Sequence, residues 1–365
     1  IDGFRMDVIS MISKDQRFPD GAQGENELYG DVSPYVFSGP RVHEFLKEMN
    51  QKVLAKYDLM TVGETPGVTI EQAKRYAGED THELNMVFQF EHVEIGNGPH
   101  GKYDTTLLHA RTTRRDEQVA DRTGGQCMEF PVLGQSRPAA LCFALWFRSA
   151  GVSRPVRQNA GCLSLFYEMA QPYIYQGDEL GMTNNGGFRQ LSDYRDLESI
   201  NWFHAYTRAG LTTEAEMFAA LGARSRDHAR TPMQWDASPN AGFTTGEPWI
   251  MVNPNYTQIN AAQQVNDPDS VFCFYQQLLR LRKQHDVFLY GTYELMLPDS
   301  EAIWAYRRTL GGRQAQVYCN FTTQGVPCET PREGLLLCNY NTVQAEILRP
   351  CECRVYLDPK GLLRS

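Results

Sequence analysis

No apolar run in this chain is long enough to cross a membrane, since a spanning helix needs about 20 consecutive apolar residues. An excess of basic charge is also missing. The 35 Lys and Arg are outnumbered by 44 Asp and Glu, for a net charge of −9, which argues against the basic footprint that nucleic-acid binding needs. The nine cysteines are odd in number and scattered. Cys351 and Cys353 stand too close for a zinc-finger spacing and no histidine cluster accompanies them. They read as thiols of a reducing cytoplasm, and no metal or cofactor is expected. No internal repeat is visible, no signal-peptide pattern opens the chain, and nothing specifies an oligomeric state. What is present is ordinary for a soluble enzyme acting on a neutral substrate: 365 residues, 42% of them hydrophobic, enough for one large domain and a smaller one.

Strand and helix signals alternate over the first part of the chain. Ile1–Val8 reads as a short buried strand with a polar tip. Val42, Phe45, Leu46, Met49, Val53 and Leu54 recur at helical spacing after Pro40. Leu59–Val62 is a second strand running into Gly63-Glu64, Thr69–Tyr76 is helical, and Met86–Phe90 is a third strand. Pro172–Gln176 reads as another strand. Ser192–Phe203, Glu214–Leu221 and Val271–Lys283 read as helices. This alternation predicts an α/β architecture with parallel strands. After about residue 288 the pattern changes to short β runs separated by Gly, Pro and Asn: Ala302–Arg307, Gln316–Phe321 and Glu346–Tyr356. The expected organisation is an α/β domain over 1–287 and an all-β domain over 288–365.

One stretch obeys neither period. Residues 106–163 hold eight arginines, no lysine and three of the nine cysteines.

Two carboxylates each close a strand. Asp7 ends Asp2-Gly3-Phe4-Arg5-Met6-Asp7, and Glu64 ends Leu59-Met60-Thr61-Val62-Gly63-Glu64. Their separation of 57 positions fits a strand, a loop, one helix and the next strand, so neighbouring parallel strands would bring both acids to one rim. Retaining glycoside hydrolysis needs such a pair, about 5–5.5 Å apart, one as nucleophile and one as acid/base. Arg5 shares a strand face with Asp7, and a guanidinium there keeps a carboxylate ionised. Glu64 has no equally evident cation beside it and is free to hold the proton of a general acid. A carboxylate at a strand end is by itself more often a cap or a surface charge.

The surrounding runs add weight. Gly3-Phe4-Arg5-Met6-Asp7 and Val62-Gly63-Glu64-Thr65 resemble the nucleophile and acid/base motifs of the α-amylase superfamily. Thr61-Val62-Gly63-Glu64-Thr65-Pro66-Gly67-Val68-Thr69, Met86-Val87-Phe88-Gln89-Phe90-Glu91-His92, Tyr173-Ile174-Tyr175-Gln176-Gly177 and Arg230-Thr231-Pro232-Met233-Gln234-Trp235 narrow the resemblance to the oligo-1,6-glucosidase group, over roughly residues 1–105 and 165–360. The resemblance implies the C-terminal part of a (β/α)8 TIM barrel followed by an antiparallel all-β domain. It implies an exo-acting retaining α-glucosidase that cleaves α-1,6 bonds of small isomalto-oligosaccharides. Asp7 would be the nucleophile, Glu64 the acid/base, Arg5 the arginine on the nucleophile and Arg230 the arginine holding the non-reducing glucose. Val8 resembles enzymes that prefer α-1,6 bonds; its plain alternative is core packing. Lys102 and Glu198 fall where dextran glucosidases orient substrate, against the alternatives of a solvated loop lysine and a helix-surface charge. Within the same family, trehalose-6-phosphate hydrolase and sucrose isomerase are alternatives. A non-catalytic glucosidase-like transporter subunit is the alternative of another class.

The chain departs from that family in two ways. The family's third acid, in an Asn-His-Asp motif, occurs nowhere in the sequence. Its place is the anomalous stretch. A one-nucleotide slip over Met128–Arg137 permits a run ending Trp-Gly-Asn-His-Asp, and Val152–Gly161 yields another family-like run at the same offset. The expectation is a stretch translated out of frame, with a divergent insert as the alternative. The chain also opens at the nucleophile strand, so three barrel units, an inserted small domain and a calcium loop are expected to be missing. An open barrel exposes strand edges, and the expected consequence is an aggregation-prone, inactive polypeptide.

Overall fold

Three sheets form among the described residues of this computed structural model, which describes residues 1–24, 29–90, 102–103, 129–131, 158, 173–300 and 302–358. The first is parallel, with strands β1 (Gly3–Met6), β2 (Met60–Glu64), β3 (Met86–Gln89) and β4 (Glu129–Pro131) side by side in chain order. The register places Arg5 beside Val62, Met6 beside Gly63, and Glu64 beside Phe88. Parallel neighbours require a crossover, which helix α1 (Val42–Lys52) supplies between β1 and β2 and helix α2 (Ile70–Ala77) between β2 and β3. Val42 and Leu46 on α1 pack with Ala73, Tyr76 and Ala77 on α2, and with Ile9, Leu84 and Val87, in one core. The start of α2 is fixed by reciprocal bonds. Thr69 Oγ1 accepts from Gln72 N at 3.3 Å while Gln72 Oε1 accepts from Thr69 N at 2.8 Å, satisfying two of the donors that a helix start leaves open.

The strands expected at 59–62 and 86–90 and the helices that alternate with them form where expected. The first strand is limited to Gly3–Met6 and is partly exposed rather than buried, because among the described residues it has only β2 as a strand neighbour. The described residues show four parallel strands, not a closed barrel. Within 106–163 only the short β4 and Gln158 are described, so the frame-slip reading lies outside the described residues for the rest of that stretch.

In the segment after residue 172, two expectations need correction before the second sheet begins. Residues 173–175 form no strand. Asp178 closes a local turn there, its N–H donating to Tyr175 O at 3.0 Å and its carboxylate accepting from Tyr175 N at 3.2 Å. This turn uses the backbone groups that a ladder would need. The helix expected from Ser192 begins at Leu197 and runs to Arg208 as α3. Its start is set by Asp196, whose carboxylate accepts from Ser199 N at 3.2 Å and Ser199 Oγ at 3.0 Å, the bonding of an N-cap. Helix α4 (Glu214–Arg224) follows, its start fixed by the Thr213–Glu216 capping box.

The second sheet is antiparallel. β5 (Thr292–Leu295), β6 (Ile303–Leu310), β7 (Arg313–Asn320), β9 (Leu335–Cys338) and β11 (Cys353–Leu357) lie in the order β5-β6-β7-β11-β9, while β8 (Val326–Pro327) pairs with β10 (Ile347–Leu348). β6 and β7 form a hairpin whose two-residue turn, Gly311-Gly312, has φ of 54° and 82°. Both values lie where glycine carries no Cβ penalty, and such turns match strand twist. The run expected over Glu346–Tyr356 is broken. Glu352 takes Arg349 N–H at 2.7 Å and Arg354 Nε at 2.7 Å, which folds residues 349–352 into a turn between β10 and β11.

Every residue of β11 is buried, because both faces of the sheet are covered. Val317, Cys319, Cys353, Val355 and Leu357 face helix α5 (Val271–Gln284), whose Phe274, Tyr275 and Leu278 complete that core. Ala305, Tyr318 and Tyr356 face the opposite way, against Cys328 and Leu348. The alternation is the two-residue period of a strand. Among the described residues no helix is long and apolar enough to cross a membrane.

Leu278 is fully buried between α5 and the sheet. Leu278→Ala is expected to cost about 2–5 kcal/mol, the usual range for a buried leucine truncation. Urea denaturation of the two chains checks it, and an unchanged midpoint would show that α5 does not anchor this sheet.

Candidate active site

The parallel register brings the ends of β1 and β2 together, and one guanidinium closes the gap between them. Arg5 Nη1 donates to Asp7 Oδ1 at 2.5 Å and Arg5 Nη2 to Glu64 Oε2 at 2.6 Å. Both are charge-assisted bonds within one planar fork. Val8 adds a third contact, its backbone N–H reaching Glu64 Oε2 at 3.2 Å. Val8 itself has a left-handed backbone, φ 41° and ψ 41°, which is an outlier for a β-branched residue. The turn carries the chain from the end of β1 into Ile9. Gly63 makes room for it, since a Cβ there would lie 2.5 Å from Leu84 Cδ1 and 2.8 Å from Ile9 Cγ2. Beyond Glu64, Thr65 fixes the strand end on β3, with its N–H and Oγ1 donating to Phe88 O at 2.9 and 3.1 Å.

This corrects one expectation. Glu64 has a cation beside it, the same Arg5 that holds Asp7. What separates the two acids is exposure. The Asp7 side chain is 70% accessible and that of Glu64 1%. The Asp7 carboxylate is therefore open to an approaching molecule, whereas that of Glu64 is enclosed at the strand end.

The remaining sequence-derived residues form a second group. Lys102 Nζ meets Glu198 Oε2 at 2.6 Å, and Arg226 Nε reaches the same oxygen at 3.2 Å. Arg226 continues through Nη2 to Asp196 Oδ1 at 2.7 Å. Arg230 Nη1 shares that oxygen at 3.1 Å and meets Asp227 Oδ1 at 3.3 Å. Asp227 in turn accepts the backbone N–H groups of Arg195 and Asp196 at 2.6 and 2.8 Å. The result is an alternating chain of charge from Lys102 to Asp227, wrapped around the N-terminus of α3. Lys102 is not a solvated lysine: its side chain is 17% accessible. Burial pulls its pKa below the ordinary lysine value even though Glu198 pulls it up. Burial would raise the pKa of Asp196, yet the bonds from Arg226, Arg230 and Ser199 outweigh it and hold the carboxyl below the ordinary aspartate value. Tyr103, beside Lys102, bonds Ser199 Oγ at 3.0 Å and is pushed up by burial.

Sequence reasoning placed Lys102, Glu198 and Arg230 at the site and missed the residues between them. Asp196 carried a visible signal as an Asp-x-x-Ser cap before Glu198. Arg226 and Asp227 stand four and three positions before Arg230, a helical spacing, but nothing in their types singles them out.

A family model described as the alpha-amylase catalytic domain matches residues 1–291. An oligo-1,6-glucosidase of Parageobacillus thermoglucosidasius is 44% identical over 372 residues, covering 98% of this chain and 65% of that protein. Among solved structures, Bacillus licheniformis trehalose-6-phosphate hydrolase superposes with a TM-score of 0.82 at 36% identity, covering 98% of this chain and 65% of that one. An isomaltulose synthase from Klebsiella sp. LX3 gives 0.89 at 29% identity, covering 98% and 66%. This chain therefore spans about 65% of the length of such relatives.

Asp196 gives the second group a testable pH signature. A carboxylate held below its ordinary value of 3.8 stabilises the fold fully above that value and loses the contribution as pH falls through the lower folded value. Asp196→Asn is expected to destabilise the chain at neutral pH by about 3 kcal/mol, since a buried ion-pair partner is removed. The deficit should shrink below pH 3.8. Urea denaturation of both chains across acid pH measures this, and a deficit constant with pH would contradict the assignment.

Proposed function

The chain belongs to the α-amylase family, and from that premise we propose that it carries the nucleophile and acid/base of a retaining exo-α-glucosidase acting on α-1,6 bonds of isomalto-oligosaccharides. The observation that carries the proposal is the Arg5 fork holding Asp7 and Glu64 at the ends of adjacent strands. In this reading Asp7 attacks the anomeric carbon and Arg5 holds its charge in place. Glu64 gives its proton to the leaving oxygen, then takes one from the water that releases the glucose. For that, Glu64 must turn from Arg5 to the glycosidic oxygen while Arg5 stays on Asp7. Arg230, anchored by Asp196 and Asp227, binds the non-reducing glucose, since one of its nitrogens serves both aspartates and the rest of the fork can face a sugar. Lys102 and Glu198 orient the next sugar. Val8 acts through its backbone bond to Glu64 and sets the α-1,6 preference.

The relatives favour this linkage without deciding it. The oligo-1,6-glucosidase supports it, and the trehalose-6-phosphate hydrolase and isomaltulose synthase keep phosphorylated trehalose and sucrose as second readings. The catalytic unit is proposed as residues 1–287 and the β unit as 288–365, in a cytoplasmic protein. Residues 106–163 are proposed to be translated out of frame, so that the third acid of the site is lost from the polypeptide. Losing one preorganised electrostatic group costs about 3–4 kcal/mol of barrier, and the activity is assigned to a longer polypeptide with that acid in frame.

The test has two arms. The 365-residue chain is expected to leave p-nitrophenyl α-glucoside unhydrolysed. The gene product extended upstream, with the frame restored, is expected to hydrolyse isomaltose faster than trehalose 6-phosphate and to release α-glucose. In it, Glu64→Gln should lower kcat by about 10²–10⁴, the usual worth of a general acid, and Asp7→Asn should abolish turnover. Activity that survives Asp7→Asn, or an unambiguous in-frame nucleotide sequence through 106–163, would overturn the corresponding part.

A further inference from the structure

The core of the β unit holds two cysteines directly opposite each other. The register of β11 on β7 pairs Cys353 with Cys319, and both side chains belong to the core against α5. Backbone bonds at either end of this ladder give the pair's type. Asn320 N–H donates to Glu352 O at 2.9 Å, and Asp358 N–H donates to Gln314 O at 2.9 Å. Hydrogen-bonded and non-hydrogen-bonded pairs alternate along an antiparallel ladder. The pairs 320/352 and 314/358 are of the bonded type, which makes Cys319/Cys353 a non-bonded pair. Opposed residues of that type have Cα atoms about 4.5 Å apart and their side chains closest. A disulfide needs a Cα separation of about 4.4–6.8 Å.

We infer that Cys319 and Cys353 are a cross-strand disulfide site, held as two thiols in this structure and closed when the β unit folds in the presence of a small-molecule disulfide. Face and register select this partner. Cys338 lies opposite Arg354 and bonds Glu352 Oε1 at 3.3 Å, so it stands on the other face of β11 from Cys353. Cys351 precedes the strand, and its thiol reaches Thr322 O at 3.4 Å. Cys328 packs in the opposite core.

Timing follows from burial. Both cysteines are 0% exposed, and β11 lies between β7 and β9. A reagent reaches them only before these strands close. The chemistry is two thiol–disulfide exchanges. One cysteine loses its proton to solvent and its thiolate attacks a sulfur of glutathione disulfide. The reagent's S–S bond breaks and one glutathione leaves. The second cysteine thiolate then attacks the protein-bound sulfur and expels the other glutathione. The protein loses two hydrogens as one glutathione disulfide becomes two glutathiones.

The experiment refolds the full chain from denaturant in glutathione disulfide with glutathione, and a second sample in glutathione alone. Non-reducing peptide mapping reads the outcome. A link between residues 319 and 353, absent from the second sample and removed by dithiothreitol, is expected whatever the other cysteines do. The already folded chain, given the same reagent, should keep both thiols. C319S and C353S should each abolish the link. If either fails to fold, the wild-type map still decides. A link from Cys353 to Cys338 or Cys351, glutathione left on both cysteines, or two intact thiols after refolding would overturn the inference.

Discussion

The candidate site depends on a single guanidinium. Arg5 sits between Asp7 and Glu64 with bonds of 2.5 and 2.6 Å, and each feature around it can be read as serving that geometry. The parallel pairing of β1 with β2 sets the two carboxylates at one edge of the sheet. The Val8 N–H adds a backbone donor to Glu64. Two acids at such close quarters repel when both are charged. A cation placed between them lets two carboxylates share one rim without forcing either strand end apart.

The same device recurs around the N-terminus of α3, at larger scale. Asp196, Glu198 and Asp227 gather three acidic groups there, and Lys102, Arg226 and Arg230 interleave with them. A helix N-terminus favours negative charge, so Asp196 and Asp227 can sit nearly buried while their arginines stay partly accessible. The inner aspartates hold the outer arginines in place. Arg226 and the shared Asp196 Oδ1 link the Lys102–Glu198 pair to Arg230.

How far the sequence revealed this depended on whether a feature was local. The helices around Leu46, Ala73 and Leu278 follow from spacing alone, as do the strands ending at Asp7 and Glu64. The strand read at Tyr173–Tyr175 fails because Asp178, three residues on, competes for the backbone of Tyr175. Apolar spacing does not register a side chain closing a turn. The start of α3 was misplaced for the same reason, since Asp196 as a cap outweighs the helical pattern before it. Arg5 near Asp7 was legible because Asp7 directly follows the strand that carries Arg5. Arg5 on Glu64 was not, because that contact exists only once β1 and β2 pair. Asp196, Arg226 and Asp227 escaped notice because each acts through a partner brought near by folding.

Burial in the β unit gives this dependence on tertiary context a physical form. Glu352 and Arg354 are fully buried, and they survive there because each is a partner of the other at 2.7 Å and of further polar groups: Arg349 for Glu352, and Thr330 and the Gln344 and Ile347 carbonyls for Arg354. Removing a partner from such a pair leaves a charge in a medium that cannot solvate it. That constraint, rather than strand propensity, breaks the apolar run between β10 and β11 and fixes where β11 begins. The start of β11 in turn sets its register on β7. A one-residue slip would move Cys353, Val355 and Leu357 out of the core against α5 and turn Arg354 into it. The ion pair at the turn and the apolar alternation of the strand therefore specify the same register by independent means.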